Sequence, residues 1–390
     1  MVDAVLLSAC RTAIGTARRG TLRDTDAFEL ATVVVREAVR RSGLPAEAID
    51  DVVLGESLAG GGDIARYAAL RAGLTHVPGL AHNRHCASGL ASVATAAAGV
   101  RAGMDRAVVA GGTHSSSTAP LARRRVPGTD EWQDPWMAPT HVPTPRAPND
   151  DMGVLVGWNT ARLAGLTREE MDGWALRSHQ RAVRAIDEGR FTEEIVPVEV
   201  TGRDGVTSAF ATDEHPRRDT SAEKLAALKA LHPEIEGFSI TAGNSSGVND
   251  GAAAVVVAGS DLAAAHGLAP IATVRAWASV GVDPVETGLA PVAAIRKALG
   301  RAGLGIDEVD LFEVNEAFAA VAVATTRELG LDPERVNPFG SGCSLGHPIA
   351  TTGTRMLVTL AHELRRRGGG TAVAAMCAGG GMGSAMVLTV

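Results

Sequence analysis

The strongest constraint on this chain is an ordered series of elements that occurs twice. Short apolar runs at Val5–Ser8, Val52–Gly55 and Ala107–Ala110 read as buried strands, and Ala27–Arg41 reads as an amphipathic helix with an Arg-rich end before Gly43. The last third repeats the order, with a helix over Pro291–Arg301, a strand over Val309–Val314, a helix over Thr351–Arg367 and a strand over Thr371–Met376. Self-comparison aligns Gly43-Leu44 with Gly303-Leu304 and, at the same offset of 260, Ile49-Asp50 with Val309-Asp310 and Gly55 with Asn315. Cys86 then falls opposite Gly346, one residue from His347, and Gly111-Gly112 pairs with Gly379-Gly380 after a small shift. The pattern predicts an α/β protein made of two copies of one unit.

An insertion separates the copies. The predicted organisation is an N-terminal α/β half over 1–115, completed by about 242–268, an inserted loop domain over 116–241, and a C-terminal α/β half over 269–390. Prolines at 127, 135, 139, 143, 145 and 148 exclude regular helix from the first part of the insertion. A helix is expected over Thr167–Glu188, opened by Thr167 with Glu169 and Glu170 in its first turn. Long ordered insertions of this kind are lids or binding loops.

Composition narrows the function. A net charge of −7 argues against nucleic acid as the main partner. No run of about 18 residues is apolar enough to span a bilayer, and the start lacks a basic segment ahead of an apolar one, so a cytoplasmic protein is expected. Four cysteines without a CxxC pair exclude a disulfide framework or zinc ribbon, and no metal site is expected. Cys10 and Cys343 read as packing residues.

Three positions stand out chemically. Cys86 lies in Asn83-Arg84-His85-Cys86-Ala87-Ser88-Gly89-Leu90, a small-residue turn leading into an Ala-rich helix, where a helix N-terminus would lower a thiol pKa. The alternative is a buried structural cysteine. His347, between Gly346 and Pro348, occupies the corresponding turn of the second copy, and a pseudo-twofold axis would set it against Cys86 as a base against a nucleophile. Cys377 ends a strand before a glycine-rich turn that includes Gly379, exposing a thiol and backbone N–H groups to a ligand, although such a turn also serves as a plain connection. Asn315, at the end of another strand, suits an oxyanion contact or a helix cap.

These residues lie in blocks that resemble the thiolase family over essentially the whole chain. The blocks are Asn83 to Leu90, Thr241 to Ala253, Asn315-Glu316-Ala317-Phe318, Gly346-His347-Pro348, and Cys377 to Gly383, in family order. The resemblance implies two pseudo-twofold-related halves with mixed sheets in layers, and a homodimer or homotetramer. It implies an acetyl-CoA C-acyltransferase, a 3-ketoacyl-CoA thiolase working by thiolytic cleavage or Claisen condensation. Acyl-CoA and coenzyme A are then substrates, and no further cofactor is required. By resemblance, Cys86 is acylated, His347 activates it, and Cys377 moves the proton at the substrate α-carbon. Asn315 with His347 forms one oxyanion site, and the N–H groups of Cys86 and Gly379 form the other. Ala242 and Ser246 match positions along the pantetheine tunnel, Ser221 and Leu225 match its nucleotide end, and Met152 and Phe318 belong to the substrate-binding set.

Departures from the family concern the substrate passage. The Met-Gly-x-Thr-Ala-Glu segment appears as Met152-Gly153-Val154-Leu155-Val156-Gly157-Trp158, one residue longer and with Trp158 where Glu would fall. Asp151 stands where some members carry His, and Cys343-Ser344 replaces an aliphatic-Ala pair. Trp132, Trp136, Met137 and Trp158 are expected to form either an apolar wall near the acyl group or a core of the insertion itself. Arg123-Arg124-Arg125 reads as a solvated loop, or as an attractor of phosphates or a partner subunit. A ketoacyl-synthase-like condensing enzyme and a non-catalytic scaffold or lipid-carrier subunit are the competing readings; the second cysteine and the full catalytic set oppose them.

Overall fold

In the computed structural model, which describes residues 2–390, the repeated order builds two matching half-sheets. The first half runs β1 (Ala4–Thr12), α1 (Ala27–Ser42), β2 (Asp51–Gly55), α2 (Ile64–Arg71), β3 (Gly79–His82), α3 (Ser88–Ala102) and β4 (Ala107–Ser115). The chain then passes through the insertion, which contains α4 (Arg168–Asp187), and returns as β5 (Asn249–Gly259). The second half runs β6 (Ala272–Gly281), α5 (Ala290–Ala302), β7 (Leu311–Val314), α6 (Ala319–Glu328), α7 (Thr352–Arg367), β8 (Thr371–Ala378) and β9 (Met382–Thr389). In the first half β1 pairs antiparallel with β5, β5 antiparallel with β4, and β2 lies parallel between β4 and β3. The second half repeats this, β6 with β9, β9 with β8, β8 parallel to β7, and a parallel bridge from Phe312 to Val336 in place of the last strand. The half-sheets meet edge to edge where Val5 and Leu6 pair with Thr273 and Ala272, so one mixed sheet runs through both halves.

The sequence matches have physical causes. Gly43 and Gly303 both end helices in the left-handed conformation, at φ 74° and 70°, which a side chain would strain. Asp50 and Asp310 do the same work in each copy. Their N–H groups donate to the carbonyls of Ala107 and Thr371, and their carboxylates accept from the N–H groups of the same two residues. The pairing of Gly111-Gly112 with Gly379-Gly380 does not hold. Strand register sets Leu54 beside Gly111 and Val314 beside Ala375, so Gly111 answers to Ala375 and the later glycines form a turn.

Strands buried on both faces explain the unbroken apolar runs. In β1, Leu6 faces a central layer containing α3 and α7, while Leu7 faces an outer layer with α1 and α2. In β8, Ala374 faces the same central layer and Val373 the outer layer with α5 and α6. The insertion is tied to β1 by the fully buried Arg11, whose Nε donates to Glu194 at 2.6 Å and whose two terminal nitrogens donate to Asp213 at 2.8 and 2.9 Å.

The central helices cross at their first turns. A Cβ at Gly89 would lie 2.8 Å from both Ala350 O and Thr354 N, and one at Gly353 would lie 2.5 Å from Leu90 N. Both neighbours are backbone and cannot swing away. We expect Gly353→Ala to cost about 1–3 kcal/mol as an overpacked contact. Gly173→Ala, on an open face of α4 where a methyl meets nothing within 4 Å, should stabilise by up to about 1 kcal/mol. Urea midpoints at unchanged slope measure both.

Candidate active site

Cys86 sits between β3 and α3 in a turn that holds itself together. Asn83 Oδ1 accepts from His85 N at 2.7 Å, Ser88 Oγ accepts from Arg84 N at 2.8 Å, and the same hydroxyl donates to His85 O at 2.7 Å. The N–H groups of Gly379 and of Cys86 itself face the sulfur. The expectation of a lowered thiol pKa is corrected here. Burial outweighs these donors and the helix end, and pushes Cys86 up to about 11.

His347 follows Gly346, whose φ of 101° and contact with Asn249, 2.5 Å from a modest Cβ's position, leave room only for glycine. Asn249 Oδ1 accepts from His347 N at 3.0 Å. His347 Nδ1 lies 2.7 Å from Thr352 Oγ1, and that hydroxyl lies 3.1 Å from Pro348 O, a pure acceptor. The hydroxyl proton therefore goes to Pro348, and Thr352 accepts from Nδ1–H, which assigns the lone pair to Nε2. The Asn315 amide nitrogen, itself a donor, stands 3.4 Å from Nδ1 and so makes no hydrogen bond to Nδ1–H in this tautomer. His347 Nε2 and Asn315 Oδ1 are buried without a protein partner. Burial, with His114 and Arg355 nearby, pushes the imidazole down to about 3. A neutral thiol and a neutral base therefore serve this site.

Cys377 is the next-to-last residue of β8, which ends at Ala378 before the turn of Gly379, Gly380 and Gly381. The turn is fixed by Gly381 N donating to Thr287 Oγ1 at 3.0 Å and is covered by Thr140, which stands 3.1 Å from a Cβ position at Gly380. Burial raises the Cys377 thiol pKa, and Cys86 nearby raises it further. Cys10 and Cys343 are buried and donate only to Val34 O and Glu316 O, each at 3.6 Å, as packing residues would.

The remaining residues lie outward from this centre. Ser246 N donates to Ala317 O at 2.9 Å, and Ser245 bridges Phe318, which docks the 242–246 loop beside Asn315. Ala242 is exposed. Ser221 caps the short helix Ala222–Ala226, and Leu225 is buried against Gly243. Met152, 37% exposed, precedes a π-helix over Gly153–Trp158. That wide turn absorbs the extra residue of this segment, and Gly157 in it lets Phe318 approach, 2.8 Å from a Cβ position. Asp151 caps the turn through Val154 N and pairs with His232 at 2.8 Å.

The single aromatic wall is not formed. Trp132 is 55% exposed under the Arg123 guanidinium, Trp136 packs with Arg124, Met137 is exposed, and Trp158 stacks on Phe238. Six prolines keep the loop open, and cation–π pairing replaces burial. Sequence reading missed Thr352, Asn249 and Thr140 as partners of the site. Asn249 lay inside a family-like block, whereas Thr352 and Thr140 carry no motif and emerge only from the packing.

Comparison with known proteins gives the family. Family models described as thiolase, N-terminal domain, and thiolase, C-terminal domain, match residues 4–261 and 268–390. An acetyl-CoA acetyltransferase of Syntrophomonas wolfei is 41% identical, covering 99% of this chain and 98% of its own. A 3-ketoacyl-CoA thiolase of Bacillus subtilis is 39% identical and covers 99% of both. The crystal structure of the Bacillus anthracis acetyl-CoA acetyltransferase superposes with a TM-score of 0.92 at 39% identity, over 100% of this chain and 99% of that one. The chain belongs to the thiolase family. It is accordingly an acyltransferase that uses acyl-CoA.

With Cys86 at about 11, its alkylation by iodoacetamide should rise roughly tenfold per pH unit across pH 6–9, because only thiolate reacts. A rate already level at pH 7 would instead reveal a standing thiolate–imidazolium pair.

Proposed function

We propose that this thiolase moves an acyl group between Cys86 and coenzyme A, in cleavage of 3-ketoacyl-CoA or in condensation of two acetyl-CoA molecules. The observation that carries the reading is the convergence on one buried centre of the Cys86 thiol, two N–H groups aimed at its sulfur, an unpartnered His347 Nε2 and a second thiol at Cys377. In cleavage, Nε2 takes the Cys86 proton as the sulfur attacks the β-carbonyl. The N–H groups of Cys86 and Gly379 hold the resulting oxyanion. The Cα–Cβ bond then breaks, the enolate oxygen of departing acetyl-CoA lies against Asn315 and His347, and Cys377 protonates its α-carbon. Coenzyme A attacks the acyl-cysteine as Cys377 takes its thiol proton; the shortened thioester leaves, and His347 returns the first proton to Cys86. Condensation is the reverse.

Ala242 and Ser246 are assigned to the pantetheine, Ser221 and Leu225 to the nucleotide end, and Met152 and Phe318 to the acyl side. Two halves, 1–115 with 242–268 and 269–390, then frame the centre, and 116–241 covers it. A homodimer is proposed through the open edge of β3, where Leu80, Tyr67 and Leu70 are 43%, 44% and 46% exposed. The protruding loop with Leu121, Trp132, Met137 and Val142 offers a second surface for a tetramer. Among the described residues no helix is long and apolar enough to cross a membrane. Four free thiols suit a reducing cytoplasm.

Mass spectrometry after incubation with acetyl-CoA should find an acetyl group on Cys86 and none in Cys86→Ser. Cys377→Ala should still acetylate at Cys86 yet lose condensation and thiolysis by roughly 10²–10⁴ as a missing acid–base group. An adduct on Cys377 alone, or condensation at wild-type rate in Cys377→Ala, contradicts the assignment.

A further inference from the structure

The two segments assigned to coenzyme A are held to each other by one ion pair on α4. Arg168 Nε donates to Asp172 Oδ2 at 2.6 Å, and the same guanidinium donates to Leu225 O at 2.7 Å and Leu228 O at 3.2 Å. These carbonyls close the short helix that Ser221 opens, where a cation satisfies groups the helix leaves free. The other carboxylate oxygen, Asp172 Oδ1, accepts from Asn244 Nδ2 at 2.8 Å. Asn244 in turn shapes the pantetheine loop, with Oδ1 accepting from Thr241 N at 2.9 Å and Nδ2 donating to Ser239 O at 3.1 Å.

The two segments also touch directly. A Cβ at Gly243 would lie 2.5 Å from Leu228 and 2.6 Å from Leu225, so the absent side chain sets their spacing. The loop's far side is bonded to the connection after Asn315, through Ser246 N to Ala317 O and Ala319 N to Asn244 O at 2.8 Å. A chain of bonds thus runs from the nucleotide end through Arg168, Asp172 and Asn244 to the segment that follows Asn315. Asp172 is buried, and Arg168 reaches the loop around Ser246 only through it.

We infer that Arg168 and Asp172 are positioning residues for coenzyme A, fixing the nucleotide end relative to the pantetheine loop; this rests on the assignment of Ala242 and Ser246 to the pantetheine. Neither touches the reacting atoms. Their loss should weaken recognition of the full carrier and spare the chemistry on a truncated one.

The test compares acetyl-CoA with S-acetyl-N-acetylcysteamine, which lacks the nucleotide. Asp172→Asn and Arg168→Gln should each raise KM for acetyl-CoA about tenfold with kcat within about twofold, and leave kcat/KM for the short thioester unchanged. The double variant should lose no more than either single one, since the two act as a unit. Gly243→Ala, whose methyl would press on Leu225 and Leu228, keeps both charged side chains and should raise KM for acetyl-CoA alone. An unchanged KM for acetyl-CoA in these variants, or equal loss with both thioesters, overturns the inference. Failure of the underlying reading shows separately, as a wild-type protein that acetyl-CoA does not acetylate at Cys86.

Discussion

The structure depends on a contact between two glycines. Gly89 and Gly353 let α3 and α7 cross with backbone against backbone, each glycine admitting the other helix's first turn. Cys86 lies just before one of these turns and His347 just before the other. Any side chain at the crossing would separate the turns that carry Cys86 and His347. The surrounding layers reinforce this contact, since the central core is built from the inward faces of both half-sheets on these same two helices. The site is therefore a consequence of duplication. Each half supplies the turn at its helix start, and the axis joins them.

Electrostatically the centre is quiet at rest. Burial pushes the Cys86 and Cys377 thiols up and the His347 imidazole down, so all three are neutral near pH 7. A low-dielectric site makes the donors aimed at that charge count for more than they would in water. It also explains why Thr352 matters. In a neutral imidazole the tautomer decides which nitrogen is a base, and the bond to Thr352 decides the tautomer.

Much of this was legible in the sequence. The strands at Val52 and Thr371, the helices at Ala27 and Thr351, and the capped start of α4 all carry their own signals of periodicity and capping. Cys86, His347, Asn315 and Cys377 were visible because glycine-rich turns and chemical side chains are local. What was not legible depends on neighbours. The thiol pKa was misjudged because a helix terminus is read from spacing and desolvation is not. The tryptophans were expected inside because a side chain's size is visible in sequence, whereas an arginine lying across its ring is not. The glycine pairs at 111 and 379 were misaligned because register is fixed by strand pairing.

The π-helix at Gly153–Trp158 decides how this segment takes up length. A regular helix advances each residue by about 100°, so an added residue must either rotate everything before it or be absorbed in a widened turn. Here it is absorbed, and Asp151 and Met152 keep their places at the head of the segment while Asn159 onward continues as helix. Removing one residue here should exchange the wide turn for a tight one and leave its two ends where they are.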